Sequence, residues 1–263
     1  MIIDFHAHIY PEKIAAKASK SISDFYEGAA MAWKGSSAEL IESGKKIGVT
    51  KYVVHSAATS VSQVEIVNNF ILKETEAHKE FVGFGTIHPD YENFEQELER
   101  IKSAGLKGIK LHPDFQKFEA DTEKMDKIYA KLSELKMPVL FHAGDIRYNF
   151  SSPKKIAHVM DKHPDLMVIA AHFGGYTEWE ASLNYLVGRN CYFDTSSTIW
   201  KLPVETANEI LKKHGYEKFF FGSDFPMWSH EVELANFNKL ELSETERQAI
   251  LYGNAEKFLN SLN

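Results

Sequence analysis

Apolar and polar positions alternate on two scales along this chain. Short runs rich in β-branched and aromatic residues recur: "MIIDFH" (1–6), "KYVVHS" (51–56), "FVGFGTI" (81–87), "LKGIKLH" (106–112), "MPVLFHA" (137–143), "LMVIAAH" (166–172), "CYFDTS" (191–196) and "KFFFGSD" (218–224), eight in all. Between them lie polar stretches such as "NFEQELERIKSAG", "DTEKMDKIYAKLSELK" and "PVETANEILKKHG", whose apolar residues return with the helical period. Two of these close on a glycine, a common helix C-terminal signal. A final helix is predicted over "SETERQAILYGNAEKFL", where Ser243 and Glu246 have the spacing of a capping box.

Strand alternating with helix implies parallel pairing, because a parallel connection needs a crossover of about a dozen residues. Eight such units favour a closed (β/α)8 barrel, with an open doubly wound sheet as the alternative. The reading is one α/β domain over residues 1–263. Most successive runs start within 31 residues of each other, but 50 separate the first two. Residues 10–37, around "SDFYEGAAMAWKGSS", therefore form a long first βα excursion at the barrel mouth. It reads either as a lid or substrate-contacting segment or as a solvated insertion.

Composition adds exclusions. Thirty basic against 37 acidic residues give a formal charge of −7, with no basic field for nucleic acid or an anionic membrane. The single cysteine, Cys191, cannot form an internal disulfide and suits a reducing cytosol. No apolar run approaches the roughly 20 residues of a membrane span, and no charged-then-apolar leader precedes Asp4. A cytoplasmic enzyme acting on a small molecule is expected, and nothing here excludes a homodimer.

The strand ends carry the chemistry. The runs close in His6 and His8, Lys110 and His112, His142, His172, Asp194 and Asp224, at the barrel rim where such folds place active sites. Period-two geometry groups Asp4 with His6 and His8, Gly108 with Lys110 and His112, Leu140 with His142, Ala170 with His172, and Gly222 with Asp224, all facing inward. Ile3, Phe5, Ile109, Leu111, Val139, Phe141, Phe219 and Phe221 then face outward onto helices. Burying so many unpaired polar groups costs about 1–3 kcal/mol each. A divalent cation compensates, since two histidines ~6.6 Å apart on one strand face can converge on one ion. Taken singly, each residue also has a structural explanation, such as a rim histidine or a turn-capping aspartate. No Gly-x-Ser-x-Gly or motif around Cys191 offers a nucleophile instead, and "GFG" at 83–85 reads as barrel packing.

Read together, "DFHAH", "GIKLHP", "FHAGD", "AAHFGG", "YFDTS", "FGSDFP" and "LYGNAEKFL" resemble the amidohydrolase superfamily, in its branch of metal-dependent barrels related to aminocarboxymuconate-semialdehyde decarboxylase. The resemblance implies one divalent metal, usually Zn2+, held by His6, His8, His142 and Asp224. It implies His172 as acid/base beside a metal-bound hydroxide, with Asp224 also taking a proton. Lys110 would bridge two metals if carboxylated, as in binuclear members, or pair with a substrate carboxylate; one metal is favoured. Weaker substrate-binding candidates are His112, Arg147, Tyr148, His55 and Trp228, while His230 joins Trp228 as a pocket wall and Asp194 orients ligand groups. His78, His158, His163 and His214 lie in polar helical stretches and are expected to be exposed. The expected activity is hydrolysis of an amide, ester or lactone. The alternatives are non-oxidative decarboxylation of an unsaturated or aromatic acid, or a catalytically silent binding barrel.

Overall fold

In a computed structural model describing residues 1–262, eight parallel strands follow chain order around a barrel. They are β1 (Ile2–His8), β2 (Val49–His55), β3 (Phe81–Gly85), β4 (Gly108–Leu111), β5 (Val139–Phe141), β6 (Val168–Ala170), β7 (Tyr192–Asp194) and β8 (Phe219–Phe220). Backbone hydrogen bonds from Phe5 N to Phe221 O (2.8 Å), from Asp224 N to His6 O (2.8 Å) and from His8 N to Phe225 O (2.7 Å) join the last strand to the first. The intervening helices are α1 (Glu12–Phe25), α2 (Ser37–Lys45), α3 (Val64–Ala77), α4 (Phe94–Ser103), α5 (Pro113–Gln116), α6 (Glu123–Glu134), α7 (Pro153–Lys162), α8 (Trp179–Tyr185), α9 (Val204–His214), α10 (His230–Phe237), α11 (Glu244–Gln248) and α12 (Asn254–Asn260). Among the described residues no helix is long and apolar enough to cross a membrane.

Two apolar layers hold the barrel. Ile109, Leu111, Val139, Phe141, Phe219 and Phe221 pack outward with helix residues such as Leu98, Ile101, Ile128 and Ile156. A separate cluster joins Ile3, Phe5, Val53, Phe84, Leu140, Ile169 and Phe220. Residues from strands on opposite sides of a barrel can share a cluster only through its interior. Phe5 stacks on Phe220 at 4.1 Å and meets Phe84 edge-on at 6.0 Å. Phe258 of α12 also joins this layer, 5.8 Å from Phe5.

Ile3 and Phe5 therefore face inward, contrary to the parity expectation, and Asp4 does not share the face of His6 and His8. The cause is a β-bulge. Asp4 pairs with Tyr52 and Ala7 with Val54, so three steps on β1 match two on β2. A bulge breaks the period of two and re-aims side chains, so Phe5 and His6 both enter the barrel. Asp4 points the other way, to His230 Nε2 at 2.9 Å and the Ser223 hydroxyl at 2.6 Å. His230 is thus spent on Asp4 and Ser43 rather than forming a pocket wall. Parity also fails on β6, where Ala170 packs with the outer layer and Ala171 with the inner one. His172 regains an inward position by adopting φ 61° just beyond the strand.

The closing helix is interrupted. The capping box of Ser243 and Glu246 opens α11, but residues Ala249–Gly253 widen into a π-turn before α12. Within this turn the Ile250 carbonyl accepts from Phe221 N at 3.0 Å. Asn254 then donates to Tyr216 O and Phe219 O, tying the helix to β8. His214 is buried, not exposed, because it stacks on Phe193 at 4.0 Å and its Nε2 donates to Cys191 O. Burial pushes its pKa down to about 4. His78 and His163 are half-buried, and His158 is exposed.

Candidate metal centre

The bulge delivers His6 to the middle of the barrel rim. Its Nδ1 lies 2.8 Å from Asp194 Oδ2 on β7. A carboxylate can only accept, so Nδ1 carries the proton and Nε2 is left with a lone pair. That Nε2 lies 3.3 Å from His8 Nε2 and 3.4 Å from Asp224 Oδ1, and His8 Nε2 lies 3.5 Å from the same oxygen. Donors held ~2.05 Å from a tetrahedral cation stand about 3.4 Å apart. The three atoms therefore match one face of such a coordination shell. Gly222 keeps the space open: a Cβ there would come within 2.9 Å of the His6 Cβ.

Asp224 reaches this triangle from a left-handed backbone, φ 54°. Its N–H donates to His6 O, and its second oxygen, Oδ2, accepts from the Ser197 hydroxyl at 2.5 Å. Trp228 Nε1 donates to that same hydroxyl at 2.8 Å, so Trp228 supports Asp224 through Ser197. Glu233, buried on α10, accepts from Ser197 N at 3.1 Å. Burial pushes the Glu233 carboxyl up to about 8.

His142 and His172 form a second edge. His172 Nδ1 faces the carbonyl of Ser196 at 3.1 Å and so carries the proton, which leaves a lone pair on Nε2. That lone pair lies 3.1 Å from His142 Nδ1. With its proton on Nδ1, His142 donates to His172 and presents a bare Nε2, a buried atom without a protein partner. With its proton on Nε2, two lone pairs face each other across 3.1 Å. Either tautomer leaves His142 with a buried lone pair that suits a cation.

Electrostatics agree. Burial, followed by the nearby Lys110 charge, holds His6 well below its usual pKa, and burial likewise lowers His8, His55, His112 and His142. Burial thus favours the neutral form of each imidazole, and His55 and the Nε2 of His142 are left without a protein partner. Burial opposes ionisation of Asp224, yet His6 and His8 beside it hold its pKa far below the carboxylate range. Neutral imidazoles around one carboxylate complement a divalent ion. Lys110 Nζ lies 3.0 Å from His6 Nε2, and burial brings its pKa down to about 8 against the pull of Asp194 and Asp224. The donor set fits a divalent cation.

The weaker candidates separate. His55 is buried against His6 and His8, ring centroids 5.0 and 4.4 Å away, with neither ring nitrogen partnered by protein. His112 stacks face to face on His142 at 3.9 Å, its Nε2 meets the Tyr26 hydroxyl at 3.3 Å, and its Nδ1 caps α5. Arg147 does not face the donors. Its guanidinium is clamped by Asp145 at 2.9 and 2.6 Å and donates to Phe25 O at 2.7 Å, so a substrate carboxylate would have to displace both. Tyr148 stacks on Phe25 outside the cavity.

Sequence reasoning missed Tyr26, Ser196, Ser197, Glu233 and Asp145. "DTSST" after strand seven carried a faint signal, four hydroxyls just beyond Asp194. The cavity over the donors has a volume of about 20 Å3 and is lined by His8, Tyr26, His112, His142, Asp224 and Met31, among others.

A protein-family model described as amidohydrolase matches residues 3–260. No curated protein sequence matches the chain at a significant level. Among solved structures, an uncharacterised TIM-barrel protein from Bordetella bronchiseptica superposes with a TM-score of 0.77 at 19% identity, covering 99% of each chain. A dihydroxybenzoic acid decarboxylase from a Polaromonas species, with bound manganese and 2-nitroresorcinol, gives 0.74 at 15% identity, covering 100% of this chain and 97% of its own. A putative 2-pyrone-4,6-dicarboxylic acid hydrolase from Pseudomonas putida gives 0.70 at 18% identity, covering 98% and 97%. At these identities the structural likeness establishes the (β/α)8 fold.

Proposed function

Since this chain belongs to the amidohydrolase family, whose model spans residues 3–260, we propose that it is a metal-dependent hydrolase acting on an amide, ester or lactone carbonyl of a small molecule. The observation that carries this reading is the triangle of His6 Nε2, His8 Nε2 and Asp224 Oδ1, with edges of 3.3, 3.4 and 3.5 Å. His6, His8, His142 and Asp224 would hold one divalent ion, and zinc suits three imidazoles and a carboxylate. When bound, the ion supplies Lewis acidity, polarising a carbonyl oxygen and acidifying water.

The protein's own groups divide the remaining work. Asp194 fixes the His6 tautomer and also accepts from His172 N and the Ser196 backbone and hydroxyl, so one carboxylate orients two histidines. His172, proton on Nδ1 and lone pair on Nε2, is the acid/base that takes a proton during attack and returns it to the leaving group. Asp224 would hold the ion through Oδ1 while its Oδ2 accepts from the Ser197 hydroxyl, which fixes the carboxylate in place. Tyr26, Phe115 and Met31 line the cavity over the donors.

Decarboxylation is the second reading, favoured by the Lys110 ammonium beside the donors, where it could hold a carboxylate. Hydrolysis takes precedence because the arginine suited to a carboxylate clamp is committed to Asp145. The test is metal depletion followed by restoration with Zn2+ or Mn2+, then parallel panels of amides, esters, lactones and carboxylic acids. Metal-restored hydrolysis is expected. Metal-restored CO2 release without hydrolysis would transfer the assignment to a lyase, and a protein that takes up no metal would end both readings.

A further inference from the structure

His55 ends β2 directly beside the donors. It is the register partner of His8 across the β1–β2 ladder, and its carbonyl accepts from Ile9 N at 3.1 Å. The Ser56 hydroxyl adds a bond to Ile9 O at 2.5 Å, so the backbone around both histidines is fixed. Neighbouring strands lie about 4.8 Å apart, which holds the side chains of register partners against each other.

The His55 imidazole is fully buried, and among the described residues neither of its nitrogens has a hydrogen-bond partner. Its ring meets His8 at 4.4 Å and His6 at 5.0 Å, edge to face in both cases. A phenylalanine would make those ring contacts without leaving a donor and an acceptor unsatisfied in the interior. The two nitrogens therefore call for a partner that the chain does not supply. One nitrogen from each of His6, His8 and His55 lies within 4.8 Å of the others. Donors on opposite sides of an ion with bonds of ~2.05 Å stand about 4.1 Å apart. The trio thus spans little more than one coordination shell.

We propose that His55 is a further ligand of the ion, joining His6, His8, His142 and Asp224 from the neighbouring strand. The inference rests on the metal-centre reading above and narrows the class of metal. Four imidazoles and one carboxylate suit ions that favour nitrogen, such as zinc, iron or nickel. Manganese and magnesium favour sets dominated by oxygen.

Metal-depleted full-length protein, titrated with cobalt chloride and separately with manganese chloride, tests it. His55→Phe keeps the ring contacts and removes both nitrogens. Its cobalt affinity is expected to fall by about tenfold or more, since losing even a hydrogen-bonding partner of a ligand costs that much. Its manganese affinity should fall less. The visible ligand-field bands of the cobalt-loaded variant should shift. In His55→Ala, where a free ring can enter the space left, excess imidazole should return those bands to their wild-type positions. Should His55→Phe fail to fold, His55→Ala with and without imidazole decides by the same affinity and spectrum. Unchanged cobalt affinity, an equal loss for manganese, unshifted bands, or bands that imidazole does not restore would overturn the proposal while leaving the metal centre intact. A protein that binds no cobalt would overturn the metal-centre reading, and this one with it.

Discussion

His6 Nδ1 and Asp194 Oδ2 meet at 2.8 Å across 188 positions of chain, and this contact decides which nitrogen of His6 faces the other donors. Asp194→Asn keeps the shape but can offer an N–H where His6 needs an acceptor, so the tautomer is no longer enforced. Outer partners of this kind are worth about 10–100-fold in metal affinity. Competition with a chromophoric chelator should show a loss of that size in a protein that still folds. Undiminished affinity would remove Asp194 from the design of the site.

The ligand set predicts stoichiometry. Elemental analysis of purified protein should find close to one divalent ion per chain, and His6→Ala or His142→Ala should abolish it. Two ions per chain would instead point to a carboxylated Lys110, which lies 3.0 Å from His6 Nε2. Lys110→Met would then release the second ion alone.

His172 is tied to Ser196 by Nδ1 and turned inward by a left-handed backbone. Removing an acid/base group typically costs about 10²–10⁴ in rate. His172→Asn is expected to lose turnover on that scale while its metal content stays at the wild-type level. Loss of the metal together with activity would make His172 a ligand.

Asp114 gives a pH signature. It is buried beside His112 and His142 with one oxygen unpartnered. Burial pushes its pKa up to about 7, the Ser151 hydroxyl pulling the other way. The folded protein thus keeps a proton that the unfolded chain releases above its ordinary value of about 3.9. Folding is then linked to proton uptake, so this contribution to stability falls as pH rises from about 4 through 7. In metal-free protein, Asp114→Asn should melt higher than wild type at pH 8 and nearly level with it at pH 5. Parallel melting curves at both pH values would show that Asp114 ionises normally.

Some of this molecule was legible in the order of its residues. The alternation of apolar runs with amphipathic stretches fixed eight βα units. The placing of His6, His8, Lys110, His142, Asp194 and Asp224 at run ends marked one rim as chemical, because a strand tip is set by local pattern. The gaps fall where local periodicity stops governing direction. A bulge in β1 turned Asp4 outward and Phe5 inward, and a single left-handed residue re-aimed His172. A π-turn interrupts the closing helix where the Ile250 carbonyl meets Phe221 N.

The sequence alone determined the kinds of side chain available and the layer architecture that gathers them, since both follow from composition and period. Tertiary structure decided their state and their partners: which nitrogen of His6 is bare, that Arg147 belongs to Asp145, and that Tyr26 meets His112. Those outcomes depend on contacts between residues far apart in the chain, and no local pattern encodes the distance at which two remote atoms meet.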